Sequence, residues 1–163
     1  QPAMPQLRLA PSVVSCSAAI TACERGDQWQ LALGLFRAMP RLRAAPNAVS
    51  CSAAITACER GGQWRLALLL FRDMPLHRIG PDAVSCNTAL SACARGAQWR
   101  CALPLLCDMP QRRMAPDAGG CNPAISACGR AGHWRSALSL FGGMPQLRVR
   151  GSRVGDGSEA DGA

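Results

Sequence analysis

Residues 14–40 read VSCSAAITACERGDQWQLALGLFRAMP, and residues 49–75 return almost unchanged as VSCSAAITACERGGQWRLALLLFRDMP. Two further copies follow at 84–110 and 119–145. Trp29, Trp64, Trp99 and Trp134 therefore stand in register at a period of 35, as do Cys16, Cys51, Cys86 and Cys121, then Cys23, Cys58, Cys93 and Cys128, and the Met-Pro pairs beginning at Met39, Met74, Met109 and Met144. A fixed period of this length decides the architecture, because each copy is one supersecondary unit that must stack on its neighbours. Met4-Pro5 keeps the same phase, so residues 1–12 read as the tail of an earlier repeat. Four full units follow at 13–47, 48–82, 83–117 and 118–152, and residues 153–163 form a Gly-rich acidic tail expected to be disordered.

Within the first unit, Val14 to Arg25 reads as one helix, with Ser15 or Ser17 available as cap and Gly26 as its stop. A second helix starts at Trp29. Its apolar residues Trp29, Ala32, Leu33, Leu35, Phe36 and Met39 recur at steps of three and four, until Pro40 ends it. Each unit is then an antiparallel helical hairpin (helix A, helix B), joined to the next by a loop such as residues 41–47.

Composition bounds what such a chain does. Of 163 residues, 48% are apolar but only 4% aromatic, so the core is built from small side chains. Eighteen arginines and no lysine face ten acids, a formal charge of +8. Residues 1–150 carry 17 of those arginines against 7 acids, net +10, whereas 151–163 carry Arg153 against Asp156, Glu159 and Asp161, net −2. The repeats therefore favour anionic partners. The longest apolar run, Leu66 to Phe71, falls far short of the roughly 20 residues of a membrane span. The chain opens on Gln1 with no basic-then-apolar leader, as a processed chain or a fragment would.

Several signals carry less than they suggest. Cys16 and Cys23 lie seven residues apart on one helix, about 10 Å along its axis at roughly 1.5 Å per residue. That is beyond the span of a disulfide, and no Cys-x-x-Cys occurs. The ladder reads as small buried apolar residues in a reducing compartment. His77 and His133 have no partner pattern for a dyad or a metal, and no Gly-rich phosphate loop or paired-carboxylate motif is present. The expectation is a protein with no catalytic residues, no metal and no cofactor.

The 35-residue hairpin, with Val-Ser-Cys-Asn-Thr-Ala-Leu at 84–90, Ala-Leu-x-Leu-Phe-x-x-Met at 32–39 and Pro-Asp at 81–82, resembles the pentatricopeptide repeat (PPR) family over essentially residues 1–152. It departs from the family in the helix B Trp, in a Cys for the usual aromatic near the start of helix A, and in Pro40 and its equivalents. The tetratricopeptide repeat has period 34 and its Trp in the first helix, unlike this chain. The resemblance implies an all-α, right-handed superhelical solenoid of antiparallel hairpins that binds single-stranded RNA, about one base per repeat. It also implies RNA processing or expression in a mitochondrion or chloroplast, with other RNA-processing proteins as further partners and no membrane.

It further implies where each base is read. An apolar clamp at Val14, Val49 and Val84, replaced by Gly119 in the fourth unit, would stack on bases. The first readers are Ser17, Ser52, Asn87 and Asn122. The second readers are Asn47, Asp82, Asp117 and Ser152. A short Ser leaves room for a purine and Asn suits a pyrimidine. A carboxylate only accepts, favouring G or U, whereas the Asn47 amide can donate to A or C. The units then read A, G, U in preference to C, and loosely C, from 5′ to 3′. The fourth is the poorest reader, since Gly119-Gly120 and Pro123 weaken its clamp and helix. Arg25, Arg60, Arg95 and Arg130 would form a phosphate-contacting ladder, with Arg43, Arg78, Arg113 and Arg148 recurring in the loops. Ser, Asn and Asp at helix starts also serve as caps, and arginine at a helix end complements the dipole. The rival of a different class is a peptide- or protein-binding helical scaffold; another is the adaptor part of a larger RNA-processing enzyme.

Overall fold

The computed structural model describes residues 11–114 and 117–149, with side chains described through residue 143. Eight α-helices follow one another: α1 (Val13–Arg25), α2 (Trp29–Ala38), α3 (Ala48–Arg60), α4 (Trp64–Asp73), α5 (Ala83–Arg95), α6 (Trp99–Gln111), α7 (Ala118–Arg130) and α8 (Trp134–Val149). A short 3₁₀ turn, Met74–His77, extends α4. The described residues contain no strand. The odd-numbered helices stack on one another, α1 on α3, α3 on α5 and α5 on α7, and α2, α4 and α6 each bridge their own helix A to the next. This is the all-α helical-hairpin solenoid expected from the period.

Each hairpin closes in the same way. At the end of helix A, Gln28, Gln63, Gln98 and His133 donate their backbone N–H to the carbonyls of Cys23, Cys58, Cys93 and Cys128 at 2.8–2.9 Å. The residue before each donor, Asp27, Gly62, Ala97 or Gly132, takes the left-handed conformation that this closure requires. The glycine read as the stop is therefore not the turning residue: Gly26 has φ −87°. In the inner units its type has another cause. A Cβ on Gly61 would lie 2.3 Å from Trp29 Cδ1, and one on Gly96 would lie 2.5 Å from Trp64 Cδ1. Trp29 and Trp64 thus pack directly against the end of the next helix A, where a side chain in place of the glycine would clash. In the fourth unit Ala131 stands at this position, and Trp99 packs against the His133 ring at 4.1 Å.

Helix A begins one residue earlier than Val14. Its N-caps are Ser12, Asn47, Asp82 and Asp117. Ser15 is instead the third helical residue, whose hydroxyl donates to the Ser12 carbonyl at 2.9 Å. Ser17 lies one turn inside, donating to the Val13 carbonyl at 2.8 Å. Helix B ends before its Met-Pro pair in α2 and α4, as expected, but α6 runs on through Pro110 to Gln111 and α8 through Pro145 to Val149. The difference is slight for α6, because one closure serves all three units: Ala44, Ile79 and Met114 donate to the carbonyls of Met39, Met74 and Met109 at 2.9–3.0 Å. Proline is tolerated there because its missing N–H falls where the bond pattern is already changing.

Met39, Met74 and Met109 are fully buried, with Phe36, Phe71 and Leu106 beside them. Cys51, Cys58, Cys86, Cys93 and Cys128 are core residues, and burial pushes the thiols of Cys51 and Cys58 up to about 11 and that of Cys93 to about 12. At neutral pH they are packed as neutral thiols. Phe36 meets His77 edge-on at 6.1 Å, so both histidines act as packing groups between units.

The glycine and left-handed positions separate by mutation. Gly96→Val should cost about 1–3 kcal/mol, because the added side chain forces Trp64 out of its packing. Ala97→Gly should instead stabilise by about 0.5–1 kcal/mol, since Ala is strained at φ 52°. Urea unfolding midpoints measure both.

Candidate nucleic-acid interface

The candidate readers Ser17, Asn47, Ser52, Asp82, Asn87 and Asp117 lie where one helix A meets the start of the next. Asn47 and Asp82 accept at Oδ1 from the backbone N–H of Ser50 and Ser85, both at 2.8 Å, and Asp117 accepts from Gly120 N–H at 3.0 Å. Ser50 and Ser85 return the contact, their hydroxyls accepting from the cap's own N–H at 2.9 and 3.0 Å. Three of the four candidate second readers are therefore structural caps. Capping engages one oxygen only. Among the described residues the Asn47 amide NH₂ and the second carboxylate oxygens of Asp82 and Asp117 make no hydrogen bond.

The structure also brings first and second readers together across the joint. Ser17 Oγ lies 3.3 Å from Asn47 Oδ1, and Asn87 Nδ2 donates to Asp117 Oδ1 at 3.4 Å. Ser52, half-buried, makes no side-chain hydrogen bond to Asp82 among the described residues. Asn122 is exposed on α7, and Ser152 lies outside the described residues.

Beside these pairs stand the clamp valines, unusually open for their type: Val14 is 77% exposed, Val49 60% and Val84 64%. A groove of about 520 Å³ runs between Val14 and Val49, with Ser17 and Asn47 on its floor and Arg25 at its edge. A second, of about 350 Å³, holds Val84 and Asn87 with Thr56 and Glu59. Gly119 offers no such surface. Its absent side chain also affects the unit before it: a Cβ on Gly119 would lie 2.9 Å from Asn87 Nδ2, and one on Gly120 3.0 Å from Asn87 Oδ1. The Asn87 amide thus leans into space that Val and Ser fill elsewhere, and its Oδ1 is buried without a partner. This coupling between units is not legible in a single repeat.

The arginine ladder divides in two. Arg95 Nε contacts Glu59 Oε1 at 2.7 Å, where Ser91 Oγ also donates at 2.9 Å, and Arg60 lies 3.6 Å from Glu24 and 3.9 Å from Asp27. These ion pairs join consecutive units. Arg25 and Arg130 form none among the described residues, and the position in phase with Glu24 and Glu59 in the unit before Arg130 is Ala94. The partners Glu24 and Glu59 were not singled out in the sequence; their signal is a Glu-Arg pair that recurs once and then becomes Ala-Arg and Gly-Arg. Arg60 and Arg95 still expose about half of their side chains, at 44% and 52%. In the loops Arg43, Arg78 and Arg113 hold left-handed backbone, φ 57–59°.

A family model described as PPR repeat matches residues 14–43, 49–79 and 121–149. The chain belongs to the pentatricopeptide repeat family. Among solved structures it is similar to the pentatricopeptide repeat protein PPR10 from maize, at TM-score 0.73 and 15% identity, over 89% of this chain and 21% of that one. It is also similar to PPR10 in complex with an 18-nt psaJ RNA element, at TM-score 0.74 and 27% identity, over 88% of this chain and 21% of that one. The chain thus spans about a fifth of the PPR10 structures it matches. No curated protein matches it significantly by sequence. No helix of the described residues is long and apolar enough to cross a membrane.

The two classes of PPR ladder arginine should differ in stability. Arg95→Ala strands the mostly buried Glu59 carboxylate with Ser91 alone and should cost about 1–3 kcal/mol, below the figure for a fully buried pair because Arg95 is half exposed. Arg130→Ala should stay within about 0.5 kcal/mol. Chemical unfolding of both variants checks this, and Glu59→Gln should recover part of the Arg95→Ala loss.

Proposed function

We propose that this PPR protein binds single-stranded RNA along its stacked A helices, one base per repeat, as a non-catalytic recognition module. The observation that carries the reading is the recurrence, at every joint described, of an uncommitted cap oxygen or amide beside an exposed valine. Such a pairing offers a stacking surface and a hydrogen-bonding edge to one base. The 18-nt psaJ RNA element in the PPR10 complex supports the class of ligand. The arginine-rich repeats favour the same partner, because a ladder of guanidinium groups suits a phosphate chain.

The remaining hydrogen-bonding groups support particular bases. Asn47 presents its NH₂ and so favours A beside the small Ser17. Asp82 presents a bare carboxylate oxygen and favours G beside Ser52, whose short side chain leaves room for a purine. Asn87 with Asp117 suits U over C, and Asn122 with Ser152 reads C loosely. Val14, Val49 and Val84 are the stacking surfaces, and Arg25, Arg60, Arg95 and Arg130 the phosphate contacts. Asn87 leans onto Asp117 and into the Gly119-Gly120 gap, so the third unit must release that contact before reading. We place the activity in organellar RNA processing or expression, alongside other RNA-processing proteins, on family grounds.

Two measurements test the reading. Asp82→Asn replaces an acceptor by a group that can donate, and Asn caps α5 as well as Asp. Preference at that base should move from G toward A by about 1–3 kcal/mol, on the scale of base-edge readout, with little change in stability. Equal G-over-A ratios in both proteins would leave Asp82 as a cap alone. The salt dependence of RNA binding should have a slope near −3 if about four phosphates are neutralised at roughly −0.7 each. Replacing Arg25 and Arg130, which form no ion pairs among the described residues, should flatten it by about 1.4 without changing base preference.

A further inference from the structure

The second joint differs from the first at three positions in phase. At the first joint His77 meets Phe36 edge-on at 6.1 Å, and Leu66 of α4 packs against the core. At the second, Phe71 takes the place of Phe36, but Cys101 stands for Leu66, Pro104 for Leu69 and Arg112 for His77. A recess of about 390 Å³ opens at these three residues, on the helix B side, with the buried Phe71 and Cys86 at its floor. That volume lies within the range of about 300–1,000 Å³ typical of small-molecule sites. Cys86 is packed there as a neutral thiol, burial pushing its pKa up. The rim is charged, since Arg72, Asp108 and Arg112 line it and all three are exposed. None of them forms an ion pair among the described residues. Two guanidinium groups against one carboxylate leave the rim net positive. The recess shares no residue with the grooves of Val14 and Val84 that hold the candidate readers.

We propose that this recess binds a small aryl acid, with its ring system against Phe71 and its single acid group at Arg72 and Arg112. The class follows from the lining. At the first joint the same floor position, Phe36, is met by the ring of His77, and a ligand ring on Phe71 restores the contact that Arg112 cannot make. A guanidinium group donates paired N–H bonds that match a planar carboxylate or a sulfonate. Asp108 adds one negative charge to the rim, so a monoanion suits the site better than a dianion such as phosphate. The ligand thus fills, with one charge added, the space that leucine and histidine side chains take one unit earlier. The site lies between the second and third units, so an occupant braces that joint from the side opposite the candidate readers.

Fluorescence titration of the full chain with anilinonaphthalene sulfonate, an aryl monoanion, tests this, beside its neutral parent phenylnaphthylamine. The wild type should bind the sulfonate at least about tenfold more tightly than the parent, as a charge-assisted contact provides. Added salt should weaken only the sulfonate. Arg72→Gln combined with Arg112→Gln should bring the two dyes level. Cys101→Leu combined with Pro104→Leu writes the second unit's residues into the third and removes a proline from inside α6, so this variant should keep wild-type circular dichroism. It should lose the tight site for both dyes. Naphthoate should displace the sulfonate from the wild type, whereas inorganic phosphate at matched ionic strength and a single-stranded RNA should not. Equal affinity of the wild type for the two dyes, an arginine variant that keeps the preference, a folded Leu variant that binds as the wild type does, or displacement by phosphate or RNA would each overturn the proposal. The arginine pair decides the case alone if the Leu variant loses its helical spectrum.

Discussion

The constraint on which this molecule depends is the close packing of the helix B tryptophans Trp29 and Trp64 on the end of the following helix A. A single hairpin of small residues buries too little to stand alone, so the joints between hairpins must supply what the units lack. The indole is the largest side chain in each unit, and a Cβ beneath it would clash at well under 3 Å at Gly61 and Gly96. That requirement fixes how deeply one unit seats on the next. At the first joint this seating accompanies the 3.3 Å approach of Ser17 to Asn47, whereas the 3.4 Å Asn87–Asp117 contact belongs to the last joint, where Trp99 packs on His133 instead.

In the proposed reading, structure and recognition draw on the same groups of this PPR protein. Asn47, Asp82 and Asp117 hold the first turn of the helix they precede, and the capping bond orients the rest of each side chain. Preorganisation of this kind lowers the ordering cost of binding. Arg60 and Arg95 have a similar double character, since their ion pairs to Glu24 and Glu59 tie units together while part of each guanidinium faces solvent. The fourth unit shows what happens when small residues replace these features. Gly119 and Gly120 remove a clamp and one half of a capping box, and the Asn87 amide occupies the vacated space.

Periodicity made most of the fold legible, because a repeat that must stack has few architectures open to it and every marker is seen four times. The helix B markers and the apolar stripe located α2, α4 and α6 at their starts, and the Met-Pro pairs marked the closure even where α6 runs past Pro110. The starts of the A helices were less clear. Ser15 and Ser17 have capping side chains, but a cap is decided by where the backbone leaves the helix, and the extended residues are Ser12, Asn47, Asp82 and Asp117. The candidate readers could be named from the resemblance, yet their hydrogen bonds could not.

From the sequence alone came the period, the hairpin unit, the PPR resemblance, the basic surface and the identity of the residues at each joint, all of which depend on order along the chain. Only the tertiary structure decided why Gly61 and Gly96 are glycines. A stop signal and a packing socket are the same letter, and they differ only in whether an indole from 32 residues earlier lies against the Cα. Likewise only the fold separated paired Arg60 and Arg95 from Arg25 and Arg130, because their partners sit 36 residues away on the neighbouring helix. Those distances through space are set by how the units seat on one another, and local sequence does not encode them.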